Sequence, residues 1–311
     1  MSTETITVLM PVYNPQAEWF EMAVRSILEQ TYGHFELWLL DDGCEAEAKA
    51  LLEAWVRRDS RIRVVANEHN RGLTYTLNRG LRLATTRLVA RMDADDEAHP
   101  ERFAKQMAFM HDNPDICVLG TGAVELQNGA PFGGMMPASY GAILSSMLWN
   151  ACVIHPSVMM DRKSVLAAGG YPDVRYAEDY ALWCRLLYKE GRQICNLPDV
   201  LLKYRTQAKR RPEYERRQKV AAATVKRQAL EYLNLDPALL SVIAPDSATE
   251  ALGWDEFRDG AARIGELILA RGGDVVTWQR CCVKARRRMI RSQDNVMSQL
   301  VMWIRHALSR Y

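Results

Sequence analysis

The chain lacks most of the short signatures by which a catalytic mechanism can be read directly from sequence. Its seven cysteines (Cys44, Cys117, Cys152, Cys184, Cys195, Cys281 and Cys282) form no Cys-x-x-Cys pair and show no zinc-site spacing, so they read as reduced thiols of a cytosolic protein. There is no Walker lysine loop, no Gly-x-Ser-x-Gly elbow and no paired-histidine zinc motif. Gly120-Thr121-Gly122 is not a dinucleotide fingerprint, because no third glycine follows and its flanks read as strand. The opening Met1-Ser2-Thr3-Glu4 has no basic segment, and no stretch approaches the ~20 apolar residues of a spanning helix. Any membrane contact is therefore expected to be peripheral.

What is present is ordinary globular composition with an uneven charge distribution. The 311 residues are 48% hydrophobic and 25% charged, with a formal net charge of +2, enough for one main domain and an appendage. From Leu201 onward there are 21 Lys and Arg against 12 Asp and Glu, leaving 19 against 26 in the first 200 residues. An acidic body with a basic tail points the tail towards an anionic surface.

The first hundred residues alternate β-branched runs with helical patterns, the signature of an α/β fold with a mostly parallel sheet. Strands are expected at Ile6–Met10, Phe35–Leu40, Ile62–Ala66 and Leu88–Met92, with helices near Phe20–Leu28, Glu45–Arg58, Leu73–Ala84 and Glu101–Asp112. Val118–Met136 reads as a hairpin turning at Asn128-Gly129, and a helix runs from Glu178 to Glu190. From about Arg216 the pattern is helical throughout, which places a boundary near Thr206: residues 1–206 form the catalytic domain and 207–311 a helical region.

Ligands of open α/β sheets bind at the carboxyl ends of the strands. Pro11–Asn14, Asp41-Asp42 and Asp93–Asp96 should thus face one crevice. Three carboxylates within the four residues Asp93-Ala94-Asp95-Asp96 repel one another unless a cation intervenes, and clustered hard oxygens suit Mg2+ or Mn2+. A solvated acidic loop is the plain alternative.

These segments resemble a known family. Ile6-Thr7-Val8-Leu9-Met10-Pro11-Val12-Tyr13-Asn14, Ser26-Ile27-Leu28-Glu29-Gln30-Thr31, Phe35-Glu36-Leu37, Asp41-Asp42-Gly43, Asn70-Arg71-Gly72-Leu73, Asn78, Asp93-Ala94-Asp95-Asp96 and Glu178-Asp179-Tyr180-Ala181-Leu182-Trp183 follow in the order seen in family-2 inverting glycosyltransferases of the GT-A fold, over roughly residues 5–205. The resemblance implies a nucleotide-sugar donor, uridine diphosphate-linked, and a glycan or lipid-linked acceptor. It implies that Tyr13 stacks on the base beside the Pro11 backbone and that Asp42, or its neighbour Asp41, hydrogen-bonds the base edge. Arg71 would approach the diphosphate or base, Asp93 the ribose or a metal-bound water, and Asp95 the Mn2+ or Mg2+ ion. Asp179 would act as the base that takes the acceptor proton, with Glu178 its rival. Residue by residue, Tyr13 also reads as a core aromatic, Asp42 as a helix N-cap, and Glu178 and Asp179 as first-turn acids favouring a helix dipole.

His155-Pro156-Ser157 resembles a segment lining the acceptor side. After Tyr204-Arg205, where the similar family often carries a histidine, this chain reads Thr206-Gln207-Ala208-Lys209-Arg210-Arg211, a basic run that either closes over the donor diphosphate or is a solvated linker. The tail from Trp278 combines Arg280, Lys284, Arg286, Arg287, Arg288 and Arg291 with Trp303, Ile304 and other apolar residues. Such a helix lies on the inner face of a membrane or packs on the catalytic domain or on a partner subunit of an oligomer. Nucleic acid is not an expected partner. A nucleotidyltransferase and a non-catalytic sugar-nucleotide-binding subunit stand as the alternative functions.

Overall fold

A computed structural model of the chain describes residues 4–132, 136–206, 212–244 and 254–291. The strands are β1 (Ile6–Val12), β2 (Phe35–Asp41), β3 (Ile62–Ala66), β4 (Leu88–Arg91), β5 (Glu97–Ala98), β6 (Ile116–Glu125), β7 (Met159–Asp161) and β8 (Gln193–Tyr204). The helices are α1 (Ala17–Leu28), α2 (Ala46–Arg58), α3 (Leu73–Leu83), α4 (Arg102–Asp112), α5 (Tyr140–Ser146), α6 (Arg162–Ala167), α7 (Glu178–Cys184), α8 (Pro212–Tyr232), α9 (Leu240–Ile243), α10 (Trp254–Ala270) and α11 (Val275–Arg291).

All eight strands join one sheet in the order β3-β2-β1-β4-β7-β6-β8-β5. Its first four strands are parallel, β7 runs antiparallel to both β4 and β6, and β8 is parallel to β6 and antiparallel to β5. The sheet is therefore mixed, with a parallel half built from strand-helix-strand units and a half that combines parallel and antiparallel pairs.

Period-two burial fixes both faces. Ile6, Val8, Met10 and Val12 of β1, with Phe35, Leu37 and Leu39 of β2, join Phe20, Val24 and Ile27 of α1 in one hydrophobic cluster. Leu9, Trp38 and Leu40 point the other way and join Leu77 and Leu81 of α3. That second cluster also contains Val225 and Leu230 of α8, Ile264 and Ile268 of α10, and Trp278 of α11. The helices beyond β8 thus share the core on one face of the sheet.

Two expectations are corrected. Of the hairpin expected over Val118–Met136 only the tip forms among the described residues: the chain returning past Asn128-Gly129 makes one bridge, Val124 to Pro131, with the Glu125 and Phe132 amides donating to the Ala130 and Ala123 carbonyls, while the body of β6 pairs with β8 and β7. The turn residues are sound, but the β8 partner that satisfies β6 comes from 76 to 79 residues away, which local pattern cannot show. The helix from Glu178 keeps its α form only to Cys184 and continues as a π-turn over Arg185–Lys189.

α11 buries Trp278, Ala285 and Arg286, with the Trp278 ring 5.2 Å from that of Trp149. No described helix is long and apolar enough to cross a membrane. Residues 292–311, including Trp303 and Ile304, and the basic run Lys209-Arg210-Arg211 lie outside the described residues.

Gly43 shows how tightly the strand-end turns pack. It has a φ of 77°, and a Cβ there would stand 2.4 Å from the backbone nitrogen of Asn70. We expect Gly43→Ala to lower unfolding free energy by about 2 to 4 kcal/mol in urea denaturation, because both the left-handed backbone and the backbone contact are violated.

Candidate active site

Three strand-end turns meet above the parallel half of the sheet. Asn14, left-handed at φ 42°, accepts a bond from the Glu45 amide at 2.8 Å and so ties the end of β1 to the turn after β2. The side chain of Asp41 is buried and accepts from the Cys44 amide at 2.7 Å, closing that turn. The Asp42 carboxylate is also buried. One oxygen accepts from Asn67 Nδ2, the Arg71 amide and Thr76 Oγ1, each at 2.8 Å. The other accepts from the Gly72 amide at 2.9 Å. Asp42 does not cap α2; it holds the Asn70-Arg71-Gly72 loop at the start of α3. Tyr13 is 55% exposed, so it is not a core aromatic.

The acidic turn follows β4. Asp93, Asp95 and Asp96 offer carboxylate oxygens that all lie within 4.8 Å of one another. Burial, reinforced by the charge of Asp93, raises Asp95 above its ordinary range and pushes Asp96 up to about 8. One Asp96 oxygen accepts from the Arg205 amide at 2.7 Å, while the other is buried without a partner among the described residues. An orphaned oxygen amid converging carboxylates is the donor set that a hard divalent cation satisfies. Arg205 also donates from Nε to the Asp95 carbonyl at 2.9 Å and lies over the Trp19 ring, so β8 braces the turn from its far side.

Arg91, at the end of β4, was not anticipated from the sequence. Its side chain is 4% exposed and forms an ion pair with Asp93. Its Nε and Nη1 have no hydrogen-bond partner among the described residues. Two residues along a strand place Arg91 and Asp93 on one side, and that spacing was the available signal. Beneath it, the fully buried Arg102 donates to the Arg91 carbonyl at 2.7 Å.

A cavity of about 950 Å³ gathers Arg71, Arg91, Asp93, His155, Glu178 and Asp179, within the size range of ligand pockets. Pro11, Tyr13, Asp41, Asp42 and Asp95 stand outside its lining. Asn78 clamps the wall, donating to the Tyr171 carbonyl at 2.9 Å and accepting from its amide at 2.8 Å. His155 Nε2 pairs with the Tyr171 hydroxyl at 2.9 Å, and burial, aided by the charge of Arg91, holds it well below its usual range. It is therefore neutral at neutral pH where it lines the cavity.

Glu178 and Asp179 open α7. Burial, then the charge of Asp179, pushes Glu178 up to about 7. Burial also raises Asp179, although its Oδ1 accepts from the Tyr180 amide at 2.7 Å and Arg91 opposes the shift. A carboxyl poised near neutrality beside a cation-rich floor is suited to receiving a proton. Arg71 is exposed, its guanidinium 4.3 Å from the centroid of the Tyr75 ring, and forms no ion pair among the described residues.

A sequence profile described as "Glycosyl transferase family 2" matches residues 7–167. The amylovoran biosynthesis glycosyltransferase AmsE of Erwinia amylovora is 35% identical over 202 residues, 64% of this chain and 75% of that protein. The O-antigen biosynthesis glycosyltransferase WbnJ of Escherichia coli is 30% identical over 205 residues, 65% and 80% respectively. Among solved structures, S. aureus TarS 1-349 in complex with UDP-GlcNAc superposes with a TM-score of 0.61 at 16% identity, covering 91% of this chain and 92% of that one. The mannosyltransferase PcManGT from Pyrobaculum calidifontis, in complex with GDP-Man and Mn2+, gives 0.53 at 17% identity over 93% and 87%. Both share the GT-A architecture expected from sequence.

Asp42→Asn places an amide nitrogen where an acceptor of backbone donors is needed. We expect it to cost about 3 kcal/mol of stability and to speed hydrogen exchange at the Arg71 and Gly72 amides more than in α10.

Proposed function

The chain belongs to glycosyl transferase family 2, and we propose that it moves a sugar from a uridine diphosphate sugar to a glycan or lipid-linked acceptor by an inverting single displacement that requires Mn2+ or Mg2+. The observation that carries this reading is the placement of Asp93, from the acidic triad, in one cavity with the Glu178-Asp179 pair and the exposed Arg71. Leaving-group charge and proton removal are the two demands of such a transfer, and the cavity holds a candidate for each.

Asp95 would hold the metal, with Asp93 beside it directed to the ribose or to water and Asp96 completing the donor set. When bound, the cation supplies positive charge to the departing diphosphate. Arg71 adds a second cation on the loop that Asp42 holds. Tyr13, exposed at the end of β1, stacks on the base beside Pro11, and the Asp41-Asp42 turn backs the base edge. As the acceptor oxygen bonds to the anomeric carbon, the bond from that carbon to the diphosphate oxygen breaks and the acceptor proton passes to Asp179.

Support for a nucleotide-sugar donor comes from the neighbours named with UDP-GlcNAc and GDP-Man. Support for a polysaccharide acceptor comes from the relatives named for amylovoran and O-antigen biosynthesis.

Incubation with a panel of uridine diphosphate sugars and Mn2+ should release the diphosphate, and EDTA should suppress release at least about a hundredfold. Release of a sugar 1-phosphate instead would indicate nucleotidyl transfer, and binding without turnover a non-catalytic subunit. Asp179→Asn should retain donor affinity and lose about a hundredfold or more in transfer rate; near-normal transfer removes the assignment.

The pH profile follows from the shifted pair. A base must be deprotonated, so the rate falls as pH drops through its folded pKa. The acid limb of kcat/KM should lie above the ordinary carboxylate range of about 4, because burial raises Asp179. Glu178→Gln should leave that limb in place, because the charge of Asp179 raises Glu178 and not the reverse; a limb that moves in this variant would mean that Glu178 is the base.

A further inference from the structure

Tyr176 stands two residues before the Glu178-Asp179 pair and has a φ of 74°. A bulky side chain is rarely found in this left-handed region, and such backbone persists only where surrounding contacts over-determine it. Those contacts are present. The Tyr176 ring meets Tyr214 of α8 edge-to-face with centroids 5.3 Å apart. Arg175 lies over the Tyr176 ring at 5.2 Å, and Arg217 donates to its hydroxyl at 3.2 Å. Arg175, Tyr176 and Tyr214 all line the cavity that contains Asp179, and Tyr214 stays 40% exposed there.

We propose that Arg175, Tyr176 and Tyr214 form an acceptor subsite that holds a pyranose ring of a glycan beside Asp179. This rests on the transferase reading above and narrows its acceptor to a sugar rather than a bare lipid phosphate. A pyranose presents an apolar face of C–H bonds with slight positive charge, which an aromatic face with its negative quadrupole attracts. Its equatorial hydroxyls require donors and acceptors around the rim. Arg175 is exposed and forms no ion pair among the described residues, so its N–H groups are available to sugar oxygens. The donor loop is built on β1 to β4, whereas this cluster joins the segment after α6 to the first turns of α8. Donor and acceptor contacts therefore come from separate parts of the chain, and the helices beyond β8 contribute to substrate choice.

The test uses the full chain with Mn2+ and a uridine diphosphate sugar that it hydrolyses. Octyl glycosides of glucose, galactose, mannose, N-acetylglucosamine and glucuronate are compared with decyl phosphate as acceptors. At least one pyranoside should stimulate diphosphate release, and Tyr176→Ala and Tyr214→Ala should each raise its KM about tenfold. Acceptor-independent donor hydrolysis should stay within twofold of the parent. Tyr176→Asn keeps a residue that tolerates the left-handed backbone, so it should retain the thermal midpoint while losing acceptor affinity. If glucuronate is the stimulating sugar, Arg175→Gln should weaken it more than it weakens any neutral sugar. Stimulation by decyl phosphate but by no pyranoside would overturn the proposal, as would an unchanged acceptor KM or a parallel fall in donor hydrolysis. Absence of all donor hydrolysis would instead defeat the underlying transferase reading.

Discussion

One buried guanidinium governs the electrostatics of the cleft. Arg91 pairs with Asp93, and its charge also acts on Asp95, Asp96, Glu178 and Asp179, in each case against the upward pull of burial. Asp93, Glu178 and Asp179 line the cavity, with Asp95 and Asp96 beside Asp93, and this guanidinium opposes their mutual repulsion. The cation can occupy this place because Arg102 holds the carbonyl of Arg91 from below, and burial together with the charge of Arg91 brings Arg102 itself down to about 9. Two arginines so close in a protein interior are costly unless acidic groups surround them. The acidic turn after β4 and the acidic start of α7 therefore depend on the same residue.

This arrangement favours chemistry over stability. A carboxyl with a raised folded pKa destabilises the native state increasingly as pH rises from its unfolded value through its folded one, since the folded state then must ionise in a poorly solvated place. For Glu178 that interval runs from its ordinary value of 4.5 to about 7. Within the hydrophobic clusters such an acid would have no counterpart. At the cleft it supplies a group able to exchange a proton near neutrality, which is the usual reason active sites keep such tension.

The parallel half of the fold was legible because its information is local. β-branched runs, helix periods and the turns at Asn14, Gly43 and Asp93 are each encoded within a few residues, and strand ends of an open α/β sheet face one crevice by topology. The role of Asp42 was not legible. Its four donors come from Asn67 through Thr76, so only the folded loop reveals that the carboxylate is a scaffold for Arg71. Arg91 was hidden for a similar reason: an arginine inside a strand of apolar residues looks like a surface position until Arg102, 11 residues onward, and the Glu178-Asp179 pair are seen around it. The hairpin expected from Asn128-Gly129 formed only at its tip, since a correct turn signal was extended to strands whose pairing is long-range.

The helical region beyond β8 is where sequence pattern carries least and packing carries most. Its residues Val225, Leu230, Ile264, Ile268 and Trp278 lie in the same cluster as Leu9 and Leu40 of the central strands, so these helices cover a sheet face that α3 alone would leave partly open. Because α8 must lie on that face, its first turns reach the cleft mouth, where Tyr214 and Gln218 line the cavity. A segment recruited to close the core is thereby placed beside Asp179. Variation in its sequence can alter the cleft wall without touching the strand-end turns at Asn14, Asp42 and Asp93, because the two sets of contacts are separate.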